Sequence, residues 1–269
     1  MTDLSTNALR TVLVERYVTP LREGGSMPAI VEADDWGMYV LKFRGAGQGV
    51  RALMAELISG GIARALELPI PELVLASLSA RLAQTEPDPE IQDLIRASEG
   101  VNVGLDYLPG SVNFDPAVDS VSEEFASRTV WFDTLVSNVD RTARNTNMLM
   151  WMRAPWLIDH GATLTFHHAW DGHVADPGKP FAPSLEHVLL PRATQLDRVD
   201  ADMASRLTLP VLTDILQTVP DCFLQQAAQD LQSAALADPE AHRAAYVNYF
   251  LARLNDRSRW LQGVINGRV

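Results

Sequence analysis

The sequence predicts an α+β protein with two lobes, an N-terminal lobe built on an antiparallel sheet and a C-terminal lobe that is mainly helical. Three observations support this class. Short alternating or apolar runs, separated by Gly, Pro and Asp turns, dominate the N-terminal part and are typical of strands. From Ser184 onward the apolar residues recur at helical spacing. The two patterns meet at NVGLDYLPG, which is predicted to be a strand that ends in a turn, so we place the N-lobe at residues 1–104 and the C-lobe at residues 105–269.

The composition is that of an ordinary globular protein. Hydrophobic residues make up 47% and charged residues 21% of the 269 positions. No run of about 18 or more apolar residues is present, and the N-terminus lacks a basic start followed by an apolar run. We therefore expect no membrane insertion and no signal peptide, and a cytoplasmic location.

The net charge of −12 argues against nucleic acid or an anionic membrane as a partner, because both need positive charge to replace their counterions. A local basic patch is still compatible with this charge. The single cysteine, Cys222, excludes an internal disulfide and a cysteine-cluster metal site. Its apolar neighbours in PDCFL predict a buried core thiol.

The N-lobe pattern predicts strands and one long helix. RTVLVERYV alternates as a strand should, and PAIVEADDWGMYVLKF predicts a hairpin with its turn at residues 34–37. The return strand places Lys42 between Leu41 and Phe43. A helix is predicted over residues 50–66, where Glu56 has only small and apolar neighbours one turn away. A carboxylate there needs a partner, because an unpaired buried charge is costly.

The C-lobe begins with a predicted helix and ends with several more. The first carries Ser120 and Glu123 at capping-box spacing and leads to residue 138. An irregular, Gly- and Pro-containing segment follows residue 161, and a long loop of this kind is usually functional or mobile. Helical patterns then continue to a last helix predicted over residues 239–264.

The stretch NVDRTARNTNMLMWMRAPWLIDHG, residues 138–161, carries the most informative polar residues. A hairpin predicted at residues 148–151 and 155–158, with its turn at Arg153 and Ala154, brings Asp159 back near Asn145. Asp140 could then position a hydroxyl, while Asn145 and Asp159 supply the hard oxygen ligands that Mg²⁺ prefers. Phosphoryl transfer needs such a base, such ligands and a cation on the nucleotide phosphates.

Taken alone, NVDRTARNTN also fits a plain loop, because Asn and Asp are common turn formers. Lys42 alone also fits a snorkelling surface lysine. A Lys–Glu pair on a strand and the next helix, ahead of an Asp…Asn…Asp set, is however the order of parts found in kinases. Chance alone would rarely produce all five residues in this order, so the pattern favours a phosphotransfer site over a plain loop and a surface lysine.

The chain resembles the HipA-like kinase family, a branch of the protein-kinase and phosphoinositide-kinase superfamily. The similarity covers residues 24–161 and is weaker in the C-terminal helices. EGGSMP and VEADDWGMYVLKFRG resemble the family's phosphate loop and lysine strand, and AELISGGIARALELPIPE resembles its helix with a Pro exit. NVDRTARNTNML and LIDHG resemble its catalytic and metal motifs and are the most specific. GxGxxG and HRD are absent, and DHG replaces DFG, which favours the HipA-like or phosphoinositide-kinase branch.

The resemblance implies a two-lobed protein-kinase-like fold and roles for particular residues. Asp140 is implied as catalytic base, Lys42 as the phosphate-binding lysine oriented by Glu56, and Asn145 and Asp159 as Mg²⁺ ligands. The residues implied to contact ATP are Gly24, Gly25 and Ser26 over the phosphates, and Leu105, Asp106, Tyr107 and Leu108 facing the adenine. Ser26 is also the candidate for autophosphorylation known in some relatives.

The implied cofactors are ATP and Mg²⁺, and the implied acceptor is a serine or threonine of a protein, with any further protein partner unidentified. The alternatives are a small-molecule or lipid head-group acceptor, or a non-catalytic nucleotide-binding signalling module.

A competing metal cluster could form in HHAWDGH from His167, His168 and His173 with Asp171 and Asp176, although solvated loop histidines are commoner. Asp106 beside PG fits a turn role better than that of a catalytic acid.

Overall fold

The structure, a computed structural model, describes residues 9–21, 27–47 and 49–268. The predicted phosphate-loop residues Gly24, Gly25 and Ser26 lie outside the described residues. The α+β class is confirmed: a sheet fills the N-terminal part, and helices form most of the remainder. The lobe boundary at residue 104 stays a prediction.

The strands of the described chain are β1 (Thr11–Pro20), β2 (Ala29–Ala33), β3 (Met38–Lys42), β4 (Leu73–Leu78), β5 (Gly100–Asp106), β6 (Val112–Asn113), β7 (Met148–Trp151) and β8 (Ala154–Leu157). Its α-helices are α1 (Val50–Ala65), α2 (Pro89–Ala97), α3 (Glu123–Leu135), α4 (Leu196–Arg206), α5 (Leu209–Gln217), α6 (Asp221–Asp230), α7 (Pro239–Asn255) and α8 (Arg257–Gly267). Short 3₁₀ turns connect several of these elements.

The N-terminal sheet closes on itself in the order β1-β2-β3-β5-β4. Its pairings are antiparallel, as predicted, except for the closing pair, in which β1 and β4 run parallel. Because the side chains of β1 alternate between its two faces, Val12 and Val14 lie on the inner face and form a small core with Val31 and Leu41. This closed sheet fixes β3, and with it Lys42, against β5.

Helix α1 lies between the sheet and the C-terminal helices, since it packs on β5, α5 and α6. Two glycines allow the close approach. A Cβ at Gly60 would lie 2.5 Å from Leu73 Cδ1, and a Cβ at Gly61 would lie 2.7 Å from Ile215 Cγ2. The prediction that Glu56 is not on the polar side is confirmed, because Glu56 is buried.

A second, small sheet of β6, β7 and β8 carries the predicted hairpin. Its turn is formed by Met152 and Arg153, both with left-handed backbone, one residue earlier than predicted. Trp151 Nε1 donates to the carbonyl of Pro109 at 3.0 Å, so the hairpin is tied to the segment that follows β5.

Three further predictions are wrong in detail. Cys222 is exposed, because it lies on the outer face of α6, while Phe223 and Leu224 point into the core. The N-cap of α3 is Ser122, whose hydroxyl accepts from the amide of Phe125, and not Ser120. The last predicted helix is two helices, α7 and α8, divided at Asp256.

Among the described helices, none combines the length and apolar character needed to cross a bilayer. The cytoplasmic location and the absence of nucleic acid as a partner stay predictions.

Candidate active site

Lys42 and two carboxylates form the centre of the candidate site. Lys42 Nζ lies 2.7 Å from Asp159 Oδ1 and 3.9 Å from Glu56 Oε2. β3 supplies the lysine, α1 the glutamate, and the loop after β8 the aspartate. The structure therefore brings together three residues that are up to 117 positions apart (159 − 42).

The charges of this group are mutually stabilised. Burial alone would lower the pKa of Lys42, but the charges of Glu56 and Asp159, and then of Asp140, raise it above its ordinary value. Burial would likewise raise the pKa of Glu56, but the charge of Lys42 and hydrogen bonds from His160 lower it. Lys42 is thus a cation and Glu56 an anion at neutral pH, and these two side chains are largely screened from water.

His160, the middle residue of the DHG motif, holds Glu56 from the other side. Its backbone N–H donates to Glu56 Oε2 at 3.0 Å, and its ring Nδ1 lies 3.3 Å from Oε1. The ring packs edge-on against Phe132 with the centroids 5.6 Å apart. The DHG motif is therefore hydrogen-bonded directly to α1, a contact that the sequence reasoning did not foresee.

Asp140 and Asn145 form the second half of the site. Asn145 Nδ2 donates to Asp140 Oδ2 at 2.9 Å. Asn147 Nδ2 donates to the same oxygen at 3.1 Å and to the carbonyl of Asp140 at 2.7 Å. One carboxylate oxygen of Asp140 is thus fixed, and within the described chain no group donates to Oδ1.

Backbone hydrogen bonds join the two halves. The amide of Ile158, just before Asp159, donates to the carbonyl of Asn147 at 3.0 Å. After the DHG motif, the amide of Leu164 donates to the carbonyl of Val136 at 2.7 Å. Asp159 itself has a left-handed backbone with φ of 56°. The loop after β8 is therefore held against the segment 136–147, which carries Asp140 and Asn145, and Asp159 is turned toward Lys42.

The residues predicted to face the adenine lie at the end of β5. Leu105 and Asp106 pair with Val40 and Tyr39 of β3, which puts this segment beside Lys42's strand. The amide of Asp106 donates to the carbonyl of Glu72, and that of Tyr107 to the carbonyl of Met38. The Asp106 side chain is exposed at the strand end. The amide of Leu108 makes no hydrogen bond within the described chain and is a free backbone donor at this edge.

The residues that could hold a metal fit a hard cation. Asn145 directs its amide nitrogen to Asp140, which leaves its oxygen free, and Asp159 keeps Oδ2 when Oδ1 contacts Lys42. Amide and carboxylate oxygens are the ligands suited to Mg²⁺. Asp159 is also 40% exposed, so the site is open to an ion that arrives with a nucleotide.

The histidine-rich loop does not form the competing metal cluster. In the part of the chain that the structure describes, no group of three or more His, Cys, Asp or Glu could hold a metal ion. His167 is buried, not solvated, and its Nδ1 lies 2.9 Å from the Tyr246 hydroxyl. Asp176 forms an ion pair with Arg259 at 2.7 Å.

Sequence reasoning missed a buried network behind Asp140. It consists of Asp133, Asn138, Arg141, Asn147 and His187. The sequence signal for it is weak, because a single Asp in a helix and a single His after a long loop are both common. A cue was available for Arg141, since arginine is the residue best suited to a buried ion pair.

Comparison with known proteins identifies the class. A family model for HipA-like kinases matches residues 14–260, which is most of the chain. The match defines the protein as a kinase. The chain belongs to the HipA-like kinase family, and the resemblance inferred from the sequence motifs is confirmed.

Solved structures similar to this chain are also kinases. A proinflammatory kinase of Helicobacter pylori, CtkA, is 10% identical, with a TM-score of 0.47 and 97% of each chain covered. A Golgi casein kinase with Mn/ADP bound is 9% identical, with a TM-score of 0.45 over 94% of this chain and 73% of that chain. No curated protein matches the chain.

Proposed function

We propose that this kinase transfers a phosphoryl group from ATP, with Mg²⁺, to a serine or threonine of a protein. The supporting observation is the 2.7 Å contact between Lys42 and Asp159 with Glu56 behind the lysine. This contact supports the proposal because the cation that would bind phosphate then lies beside the carboxylate that would hold the metal. Positioning and electrostatic stabilisation are the main contributions that a protein makes to phosphoryl transfer.

In this proposal, ATP lies between β3 and the catalytic loop. Lys42 carries several N–H donors, so it can bind phosphate oxygens while it stays in contact with Asp159. The amide of Leu108 is suited to donate a hydrogen bond to the adenine edge, at the end of the segment predicted for that role. Gly24, Gly25 and Ser26 complete the proposed phosphate contacts on the evidence of the sequence.

Asn145 and Asp159 would hold Mg²⁺ through their free oxygens. When bound, the ion neutralises phosphate charge and orients the phosphates for in-line transfer. Protein side chains supply the remaining functions of the site. Lys42 binds phosphate, Glu56 holds Lys42 in position, and His160 holds Glu56 in position.

Asp140 would act on the acceptor. Its Oδ2 is held by Asn145 and Asn147, so Oδ1 is the atom that can accept the proton of an acceptor hydroxyl. Val139, Arg144 and Asn145 around it are exposed. An open catalytic loop leaves room for an acceptor on a large surface, which supports a protein side chain over an enclosed small molecule.

The test measures phosphate transfer by the purified chain with γ-labelled ATP and Mg²⁺, both to itself and to a library of Ser- and Thr-containing peptides. Asp140→Ala should lower transfer by about 10²–10⁴-fold, because it removes the proton acceptor. Nucleotide affinity should be preserved. Asp230→Asn, at an exposed aspartate at the end of α6, is the matched control and should behave as wild type.

Two outcomes would overturn parts of the proposal. If the wild type binds ATP but transfers no more phosphate than Asp140→Ala, the chain is a nucleotide-binding module and not an active kinase. If transfer is efficient with small alcohols or lipid head groups but absent with peptides, the protein acceptor is wrong. Asp159→Ala tests the metal separately, since it should abolish the Mg²⁺ dependence of nucleotide affinity.

A further inference from the structure

A buried carboxylate behind the catalytic loop receives hydrogen bonds from three different side chains. Asp133, near the end of α3, is 1% exposed. Its Oδ1 accepts from Asn138 Nδ2 at 2.7 Å, and its Oδ2 accepts from Arg141 Nε at 2.6 Å and from His187 Nε2 at 2.8 Å. Burial alone would raise the pKa of Asp133, but the charge of Arg141 and the bond from His187 hold that pKa well below its ordinary value.

The partners of Asp133 hold the backbone of Asp140 on both sides. Asn138 Oδ1 accepts from the amide of Asp140 at 2.9 Å. Arg141, the next residue, donates from Nη1 to the carbonyl of Asn147, and Asn147 donates from Nδ2 to the carbonyl of Asp140. The position of Asp140 therefore depends on side chains whose own positions depend on the Asp133 carboxylate.

His187 is the one donor to Asp133 that comes from outside residues 133–147 of the described chain. The amide of Leu189 donates to His187 Nδ1 at 3.0 Å, so Nδ1 is an acceptor and Nε2 carries the proton. His187 is thus a neutral imidazole of fixed tautomer. The neighbouring amide of Val188 donates to the carbonyl of Arg141 at 3.0 Å, and His187 also forms a β-bridge with Thr142.

We propose that His187 is a positioning residue for phosphoryl transfer. Its Nε2–H fixes the orientation of the Asp133 carboxylate, and through Asn138 and Arg141 this fixes Asp140. The inference rests on the proposed function for its kinetic consequence, but its structural part can be tested without it. Without the imidazole, Oδ2 of Asp133 keeps only Arg141, and the carboxylate is free to rotate away from Asn138.

The kinetic test compares His187→Phe, which keeps the ring but removes both nitrogens, with His187→Gln, whose side-chain amide can still donate to Asp133. His187→Phe should lower kcat for ATP turnover by up to roughly 10²-fold, since a misplacement of about 1 Å can cost that much. KM for ATP should stay within about twofold, because Lys42 and the β5 edge are untouched. His187→Gln should recover most of the lost kcat. His242→Phe, at another fully buried histidine, is the matched control and should leave kcat unchanged.

The structural test measures amide hydrogen exchange in the segment 138–147. Exchange should be faster in His187→Phe, and close to wild type in His187→Gln and His242→Phe, because only the first loses the bond that fixes Asp133. Unchanged exchange in His187→Phe would overturn the inference, whatever the activity. Equal losses of kcat in the Phe and Gln variants would also overturn it, since they would indicate packing alone. A wild type without phosphotransfer would instead contradict the proposed function, and the exchange result would still decide the role of His187.

Discussion

Lys42 carries its positive charge almost entirely inside the protein, with 12% of the side chain exposed. Asp159 and Glu56 stabilise that charge, and both keep it close to the place proposed for the ATP phosphates. The chain contains one other lysine, Lys179, which is exposed in the loop before the last helices. A lysine in the candidate site can therefore be compared directly with a surface lysine of the same chain.

An acyl phosphate derivative of ATP, which acylates amines near bound phosphates, should label Lys42 and not Lys179. Excess ATP should abolish the labelling of Lys42, and peptide mass spectrometry reads both positions at once. Lys42→Met should lower phosphate transfer by roughly 10²–10³-fold, because it removes a cation that stabilises transferring charge. Lys179→Met should have no effect. Labelling of both lysines to the same extent, insensitive to ATP, would contradict the assigned phosphate site.

Asp133 should matter more for stability than any surface carboxylate. Asp133→Ala leaves the buried guanidinium of Arg141 without its counter-ion, so the free energy of unfolding should fall by about 3–5 kcal/mol. Asp202→Ala breaks exposed ion pairs with Arg128 and Arg206 and should cost no more than about 1 kcal/mol. Urea unfolding of both variants measures the difference. Similar losses in the two would show that the Asp133 network is not a buried charge pair in solution.

At the scale of elements, α1 belongs to both halves of the molecule. One of its faces packs on the closed sheet, and another packs on α5 and α6. Arg44, which follows β3, also reaches Gln226 of α6 through its guanidinium. The Lys42–Glu56 contact is therefore held by packing on the C-terminal helices as well as by its own charges.

Gly61→Leu should test this packing. The new side chain would collide with Ile215, and overpacking of this kind costs about 1–3 kcal/mol. It should also raise KM for ATP, because α1 carries Glu56. Arg64→Leu adds the same side chain on an exposed position of the same helix and should change stability by no more than about 0.5 kcal/mol. Urea unfolding and ATP titration check both variants; equal stability of the two would place α1 away from α5.

Local patterns account for what the sequence could predict. Lys42 on a strand, Glu56 on the next helix, and the spacing from Asp140 to Asp159 are contained in short segments with strong periodicity or motif character. The hairpin turn was misplaced by one residue, because Met152 and Arg153 are not residues that favour left-handed backbone. The burial of Cys222 was wrong because an apolar neighbourhood in sequence does not give the phase of a helix.

Contacts between distant segments account for what could not be predicted. His187 contacts Asp133 although the two are 54 positions apart in the sequence, and the residues around either of them do not indicate which residue its partner is. The fit of Gly61 against Ile215 depends on the crossing of two helices whose relative placement no local pattern determines. Such contacts are fixed by tertiary packing, and residue type alone gives only weak hints of them.

At the scale of the whole molecule, buried histidines connect stability to pH. His167 contacts Tyr246 of α7, and His242 stacks on the same ring with the centroids 5.5 Å apart. Burial lowers the pKa of both histidines, that of His242 to about 4. The segment after the DHG motif is therefore anchored to α7 through His167, and the two buried histidine rings on either side of Tyr246 resist protonation.

The free energy of unfolding should fall as the pH drops from about 6.5 toward 4. Histidines of the unfolded chain take up protons near pH 6.5, whereas His242 in the folded chain stays neutral down to about pH 4. Each such group contributes a slope of about 1.4 kcal/mol per pH unit across that window. In urea unfolding, His242→Phe should remove that slope between about pH 6.5 and 4.5 and leave the dependence between about pH 7.5 and 6.5 unchanged. Parallel pH profiles for variant and wild type would contradict a neutral, buried His242.

The two-sided packing of α1 has a consequence for the newly made chain. Ile215 follows Gly61 by 154 positions (215 − 61), so the ribosome completes α1 long before it makes the helices that cover its second face. At about 5–20 residues per second, that face stays bare for roughly 8–30 s. Over that interval the growing chain carries α1 with this face uncovered, and we expect it to be more open to aggregation or to capture by a chaperone than the finished fold is.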